Sequence, residues 1–199
     1  LFITRSFDFF NRDRYELRGD ELIDIEIPTD AGMSVHREWL LIRPRTEWTV
    51  GANTYRPGSL LAARYDEFLS GTRELTVVFK PDEHSSLENY SWTRDHLVLV
   101  TLVDVSSQVD LVTPGTWEQS AIPGIPPNTN TVLVDIDEYG DEMFLDASGF
   151  DTPSQLLWGR AGTAVTTVKS APAFFDASDI EVTQHFVPSA DGTKIPYFV

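Results

Sequence analysis

The chain contains no cysteine. Disulfides, thiolate zinc sites and a cysteine nucleophile are therefore excluded. It has no run of about 18 apolar residues, the length a helix needs to cross a bilayer, so no membrane span is read from it. Methionine occurs only twice, the first residue is Leu1, and no basic stretch leads into an apolar one. No secretory leader is read. The pattern at Leu1 is already strand-like, and the chain is expected to be excised from something longer. Positive charge is scarce: 15 Lys and Arg face 31 Asp and Glu, a formal net charge of -16. Such a surface repels nucleic acid and anionic lipid, and neither is an expected partner.

Aromatic and aliphatic side chains, by contrast, are plentiful. The hydrophobic share is 41%, with five Trp, six Tyr and twelve Phe, a globular composition at a length of 199 residues. Short apolar or alternating runs dominate, among them 22–27, 39–42, 60–63, 75–79, 96–102, 108–112, 131–136, 142–147, 155–158, 166–168, 182–187 and 195–199. They are rich in Val, Leu, Ile, Phe and Thr and have strand length. Turn signals separate them, such as Pro57-Gly58, Pro114-Gly115, Pro123-Gly124 and Asp191-Gly192. Only 62–69 carries a helical period, with Tyr65, Phe68 and Leu69 on one face, and reads as one short helical turn or a loop insertion. The fold class is all-β.

A long-period echo runs through the chain. The runs beginning at Trp39, His96 and Glu142 sit near the middle of similar units, 57 and 46 residues apart. Units of about 40–50 residues built from four short strands point to propeller blades, while strands at regular 8–12-residue spacing also suit a β-sandwich. At about 50 residues per blade, this length holds about four blades at most.

Motifs that carry chemistry are few. No Gly-x-Ser-x-Gly nucleophile elbow is present, which argues against acyl transfer within this chain. His36, His84, His96 and His185 form no ligand-spaced pair and are read as ordinary core or surface histidines. Residues 135–146 offer Asp135, Asp137 and Gly140 at calcium-loop positions. Tyr139 and Asp146 then fail the pattern, leaving a charged hairpin tip between two strands. Arg12 and Arg14, and Arg43 and Arg45, are the only tight basic pairs, and a salt-bridged surface is expected for them. The five tryptophans are expected in packing between blades. No catalytic residue, cofactor site or metal site is assigned.

The end of the chain is more specific. Val182, Gln184 and Phe186 alternate with Thr183, His185 and Val187. Pro188 ends the run, Asp191-Gly192 permits a turn with positive φ, and Ile195, Tyr197 and Val199 form one face of a second strand. Pro196 interrupts that strand's hydrogen bonding and assigns it to an edge or crossover. The core Ser189-Ala190-Asp191-Gly192-Thr193-Lys194-Ile195-Pro196, within 178–199, resembles the junction at which the prolyl oligopeptidase family of serine peptidases leaves its propeller and enters its α/β-hydrolase domain. The run from Tyr90 to Val100, the pair Asp104-Val105 and the stretch 170–178 are similar to that family as well. The likeness covers essentially the whole chain and is strongest after residue 87.

The resemblance implies a partial seven-bladed propeller of about three to four blades over 1–181, with an incomplete blade at 1–28 and further blades at 33–81, 87–123 and 131–171. The hairpin 182–199 would lead into the hydrolase domain. Ser189, Asp191, Gly192, Thr193, Lys194 and Pro196 are its junction residues. The catalytic Ser, Asp and His would lie beyond residue 199, so this segment would gate access for short peptides, cleaved typically after proline, without doing chemistry. Implied partners are the peptide substrate and the hydrolase domain, and exposed blade edges imply self-association. The cytoplasm is the expected compartment, with the periplasm and secretion left open. Two other readings stay open: a non-enzymatic propeller that binds a protein partner, and an independent sandwich with its own carboxylate chemistry.

Overall fold

In the computed structural model, which describes residues 1–199, the chain divides into two compact units, 1–83 and 84–199. The first begins with β1 (Phe2–Ser6), β2 (Arg12–Arg18) and β3 (Glu21–Asp24), an antiparallel sheet in chain order. There follow β4 (Gly32–His36), β5 (Trp39–Arg43), β6 (Trp48–Val50), β7 (Asn53–Tyr55), β8 (Leu60–Arg64), α1 (Tyr65–Leu69) and β9 (Thr76–Phe79). Strands β4, β5, β8 and β9 pair in that order as a four-stranded sheet, and β6–β7 is a hairpin outside it.

The second unit repeats the pattern without insertions. Strands β10 (Ser85–Trp92), β11 (Leu97–Val103), β12 (Ser106–Val112) and β13 (Gln119–Ala121) form one four-stranded meander. Strands β14 (Asn130–Ile136), β15 (Glu142–Ser148), β16 (Gln155–Arg160) and β17 (Thr166–Ser170) form the next. The hairpin β18 (Gln184–Pro188) with β19 (Lys194–Phe198) closes the chain.

The long-period echo is now explained. The runs at Trp39, His96 and Glu142 are β5, β11 and β15, the second strand of each four-stranded sheet. An inner strand buried on both faces reads as a continuous apolar run, as β5 and β11 do: Leu40, Leu41 and Ile42, like Leu97, Val98 and Leu99, are fully buried. Strand β15 instead alternates. Met143, Leu145 and Ala147 are buried, and the residues between them are only partly covered. The first interval is the longer one because β6–β7 and α1 are inserted into the sheet of β4, β5, β8 and β9.

The core of the second unit lies between its two sheets. In the second unit Val98 and Val100 of β11 and Val109 and Leu111 of β12 pack with Met143, Leu145 and Ala147 of β15 and Leu157 of β16. Val165 completes this cluster, and its approach is so close that a Cβ at Gly159 would stand 2.7 Å from its Cγ1. In the first unit Leu40, Ile42, Leu61 and Ala63 of the four-stranded sheet cluster with Ile25 after β3 and with Tyr65 and Phe68 of α1. Apolar area removed from water at roughly 25 cal/mol per Å² makes this face-to-face packing the main source of stability.

The helix is shorter than its periodicity suggests. Residues 62–64 belong to β8, and α1 occupies only Tyr65–Leu69. At five residues with no side-chain N-cap, it is held by tertiary contacts rather than by its own propensity. Tyr65 and Phe68 are buried, the Tyr65 hydroxyl donates to Glu16 Oε2 at 2.8 Å, and Arg73 donates to the Phe68 carbonyl at 2.7 Å. Of the tryptophans, Trp92 is buried at 5% exposure. Both core clusters are mainly aliphatic. Trp48 packs at the margin of one, and Trp39 lies under the Arg64 guanidinium at 4.8 Å.

Truncation of Leu145 to Ala is expected to cost about 2–5 kcal/mol, because the site is enclosed by two sheets. The half-exposed Val132→Ala should stay within about 0.5 kcal/mol. Urea unfolding of the two variants checks the contrast.

Candidate functional site: the terminal hairpin and its seat

The hairpin builds itself from local rules. Five cross-strand pairs run from Gln184 opposite Phe198 to Pro188 opposite Lys194. At the turn, the Ser189 amide donates to the Thr193 carbonyl (2.8 Å) and the Gly192 amide to the Ser189 carbonyl (2.9 Å). Gly192 has φ of +88°, a conformation strained for any side chain. Asp191 Oδ1 accepts the Thr193 amide at 3.0 Å. This bond to the charged form holds the Asp191 carboxyl below the ordinary aspartate range. Ser189, Asp191, Gly192 and Thr193 thus share one tight turn, while Lys194 and Pro196 stand on β19. Strand β19 pairs with β18 alone, so Pro196 sits where its missing donor costs no ladder bond.

Below the ladder, the Thr183 and Val199 backbones exchange two hydrogen bonds of 2.9 Å. His185 stacks on Tyr197 with centroids 5.5 Å apart, and its Nε2 hydrogen-bonds the Thr183 hydroxyl at 2.9 Å. The hairpin is then tied to the two sheets of its own unit at three points. Gln184 Nε2 donates to the Asp104 carbonyl, Asn128 Nδ2 donates to the Val182 carbonyl at 3.1 Å, and Phe198 packs on Phe150 at 5.4 Å.

The seat has one unusual feature. Asp104 and Val105 form the two-residue turn between β11 and β12, both with positive φ (46° and 65°). That is the hairpin-favoured geometry, but a β-branched residue there is an outlier. The surroundings hold it in place. The Asp104 amide donates to the His84 carbonyl (2.8 Å), its carboxylate pairs with His84 Nδ1 (2.8 Å), and its carbonyl takes Gln184. Half-exposed Val105 borders a cavity of about 480 Å³ with Asn128, Phe150 and Phe198 among its walls. Periodicity singles out none of Asp104, Val105, Asn128 and Phe150 as part of this site. Asp-Val lacks the glycine that marks such a turn, so its geometry left no sequence signal.

Chemistry-bearing side chains do not converge. His84 pairs with Asp104 and His185 with Thr183, and no group of three or more His, Asp or Glu could hold a metal ion. Residues 135–146 are the hairpin of β14 and β15. At its tip Tyr139 N donates to Asp137 Oδ1 (2.9 Å), and Arg94 reaches Asp141 at 3.3 Å. The pair Arg12 and Arg14 departs from the expected salt-bridged surface. On β2 the side chains alternate, so Asp13 meets Arg5 and Tyr15, while Arg12 and Arg14 reach only backbone carbonyls. Arg45 lies over the Phe10 ring at 5.8 Å, again without a carboxylate.

No family model matches the chain. It is 30% identical to an uncharacterized peptidase (y4nA) of Sinorhizobium fredii over 98% of its own length and 28% of that protein's. It is 26% identical to an uncharacterized peptidase of Rickettsia prowazekii, over 100% of its own length and 29% of that protein's. The solved structure of a post-proline cleaving enzyme from Rickettsia typhi matches 99% of the chain at TM-score 0.81 and 23% identity, over 30% of that enzyme. The chain has the propeller fold of that enzyme's matching segment, and its relatives in sequence are peptidases. It spans less than a third of the length of the relatives it matches. The first sheet of the chain has three strands and the three later ones have four each, the antiparallel make-up of propeller blades.

The depressed acidity of Asp191 gives a sign. A carboxyl whose folded pKa lies below its ordinary value of 3.8 stabilises the turn above that pH and loses the contribution as pH falls through the folded pKa. Carbon-detected NMR titration is expected to place Asp191 below 3.8, with Thr193 amide exchange accelerating over the same pH window. In Asp191→Ala the Thr193 amide should exchange quickly at every pH.

Proposed function

We propose that this chain is the substrate-gating part of a serine-type oligopeptidase and carries none of its catalytic groups. The carrying observation is the hairpin of β18 and β19, which leaves the last sheet and is clamped back to the Asp104–Val105 turn. On this reading 182–199 is the connector to an α/β-hydrolase domain, and Ser189, Asp191, Gly192, Thr193, Lys194 and Pro196 fix its course. The clamp sets the angle at which that domain stands over the blades. The strained turn supplies the rigid point, because a backbone forced to positive φ has few alternative conformations. Blades without convergent acid, base or nucleophile suit a part that filters short peptides by size. Cleavage after proline follows from the relatives' activity, as does a parent propeller of seven blades. We place the parent in the cytoplasm.

Activity and association measurements test this reading. The parent protein is expected to hydrolyse a fluorogenic X-Pro peptide, and residues 1–199 alone to show no turnover. In the parent, Gln184→Ala should loosen the clamp, lowering kcat/KM for a short peptide and relaxing the exclusion of longer ones. Turnover by residues 1–199 would contradict it. The second concerns the blade edges. Strands β13 and β17 end their sheets with every residue exposed, and Val132, Val134 and Val168 lie exposed on the last sheet. Open edges and uncovered apolar rows favour pairing with another copy. Light scattering of residues 1–199 should therefore show a mass that rises with concentration.

A further inference from the structure

The loop between β1 and β2 displays three phenylalanines in four residues. Phe7, Phe9 and Phe10 are 57%, 83% and 54% exposed. Scattered surface apolar residues are ordinary, but a cluster held out into solvent is not. The loop owes its order to its own hydrogen bonds, not to burial. Asp8 Oδ1 accepts the amides of Phe10 (2.8 Å) and Asn11 (2.7 Å), and the Phe7 amide donates to the Asn11 carbonyl (2.9 Å). The Thr29 hydroxyl donates to Asn11 Oδ1 at 2.8 Å. The Asp8 charge is consumed inside the loop, which leaves the rings and the cations beside them to face outward. Phe9 and Phe10 meet edge to face at 4.9 Å.

The cations come from three directions. Arg5 lies over Phe7 at 4.9 Å but is engaged by Asp13. Arg12 touches only the Phe9 carbonyl, at 3.4 Å, and Arg45 touches only the Phe10 ring. Two guanidiniums without a carboxylate are unexpected in a chain of net charge -16. Basic residues are also unevenly placed: eleven of the fifteen lie within residues 1–83, although the acidic ones are split almost evenly between the units. An anion repelled elsewhere on the chain would be drawn to this loop.

We propose that Phe9 and Phe10, with Arg12 and Arg45, form a docking surface for an acidic peptide segment that carries an aromatic side chain. A guanidinium fork matches a carboxylate bidentately, and an aromatic ring inserted beside Phe9 would complete the edge-to-face arrangement that Phe9 and Phe10 already make. Arginine and aromatic residues are the side chains that dominate interface energetics, and a loop already fixed in shape loses little entropy on binding. Two cations on a strongly acidic chain suit a few carboxylates better than a polyphosphate backbone. This surface lies within 1–83 and does not depend on the peptidase reading.

The test is fluorescence anisotropy of residues 1–199 with the labelled pentapeptide Glu-Glu-Phe-Glu-Glu. Binding is expected, weakening as salt rises, and to be lost when Lys replaces each Glu or Ala replaces the Phe. The double variant Arg12→Ser, Arg45→Ser and the separate variant Phe9→Ser should each weaken it by roughly tenfold or more. Their melting temperatures should stay unchanged, because these side chains are exposed. Arg160→Ser, a remote control, should bind normally. Equal affinity in all variants would overturn the proposal. So would preference for a labelled oligothymidine, or loss of a dimer in the Phe9→Ser variant showing that a second copy occupies the loop.

Discussion

In the second unit each four-stranded sheet carries an apolar face that strand pairing cannot cover, and the packing of the two faces on each other supports everything else there. In the second unit the layer is Val98, Val100, Val109 and Leu111 against Met143, Leu145, Ala147 and Leu157. It fixes β11 and β12 against β15 and β16. The Asp104–Val105 turn at the end of β11 and the Asn128–Phe150 region beside β14 and β15 are thereby held at fixed separation. The hairpin of β18 and β19 spans that interval, bonding to Asp104 on one sheet and to Asn128 and Phe150 beside the other. A strained valine can be kept at positive φ because the surrounding contacts over-determine it. The hairpin's geometry is thus a consequence of the core.

The same logic explains where the sequence was readable. An inner strand covered on both faces must be apolar throughout, so β5 and β11 announced themselves, and the alternation of β15 marked a sheet with one covered face. The terminal hairpin was legible because its turn needs Asp191 and Gly192, residue types chosen by backbone geometry. The tip at 137–141 was legible as a hairpin because Tyr139 and Asp146 fail the calcium-loop pattern and strand-forming residues follow.

What stayed hidden depends on contacts distant in sequence. The periodicity of 62–69 ran across a strand–helix boundary, because β8 is held by pairing with β5 and α1 by burial of Tyr65 and Phe68. Arg12 and Arg14 looked neutralised by Asp13 between them, yet strand alternation sends that carboxylate to the opposite face and toward Arg5. The seat of the hairpin combines a glycine-free positive-φ turn with an amide and a ring from 24 and 46 residues further on, a grouping no local pattern encodes. Its likeness to relatives, not its periodicity, pointed to the junction.

The central claim is that these blades organise a peptidase without supplying its chemistry. Treating the parent protein with a fluorophosphonate, which labels activated serines, and locating the label by peptide mass spectrometry tests it most directly. The account predicts one modified serine beyond Val199 and none among residues 1–199. A modified serine within residues 1–199 would contradict it.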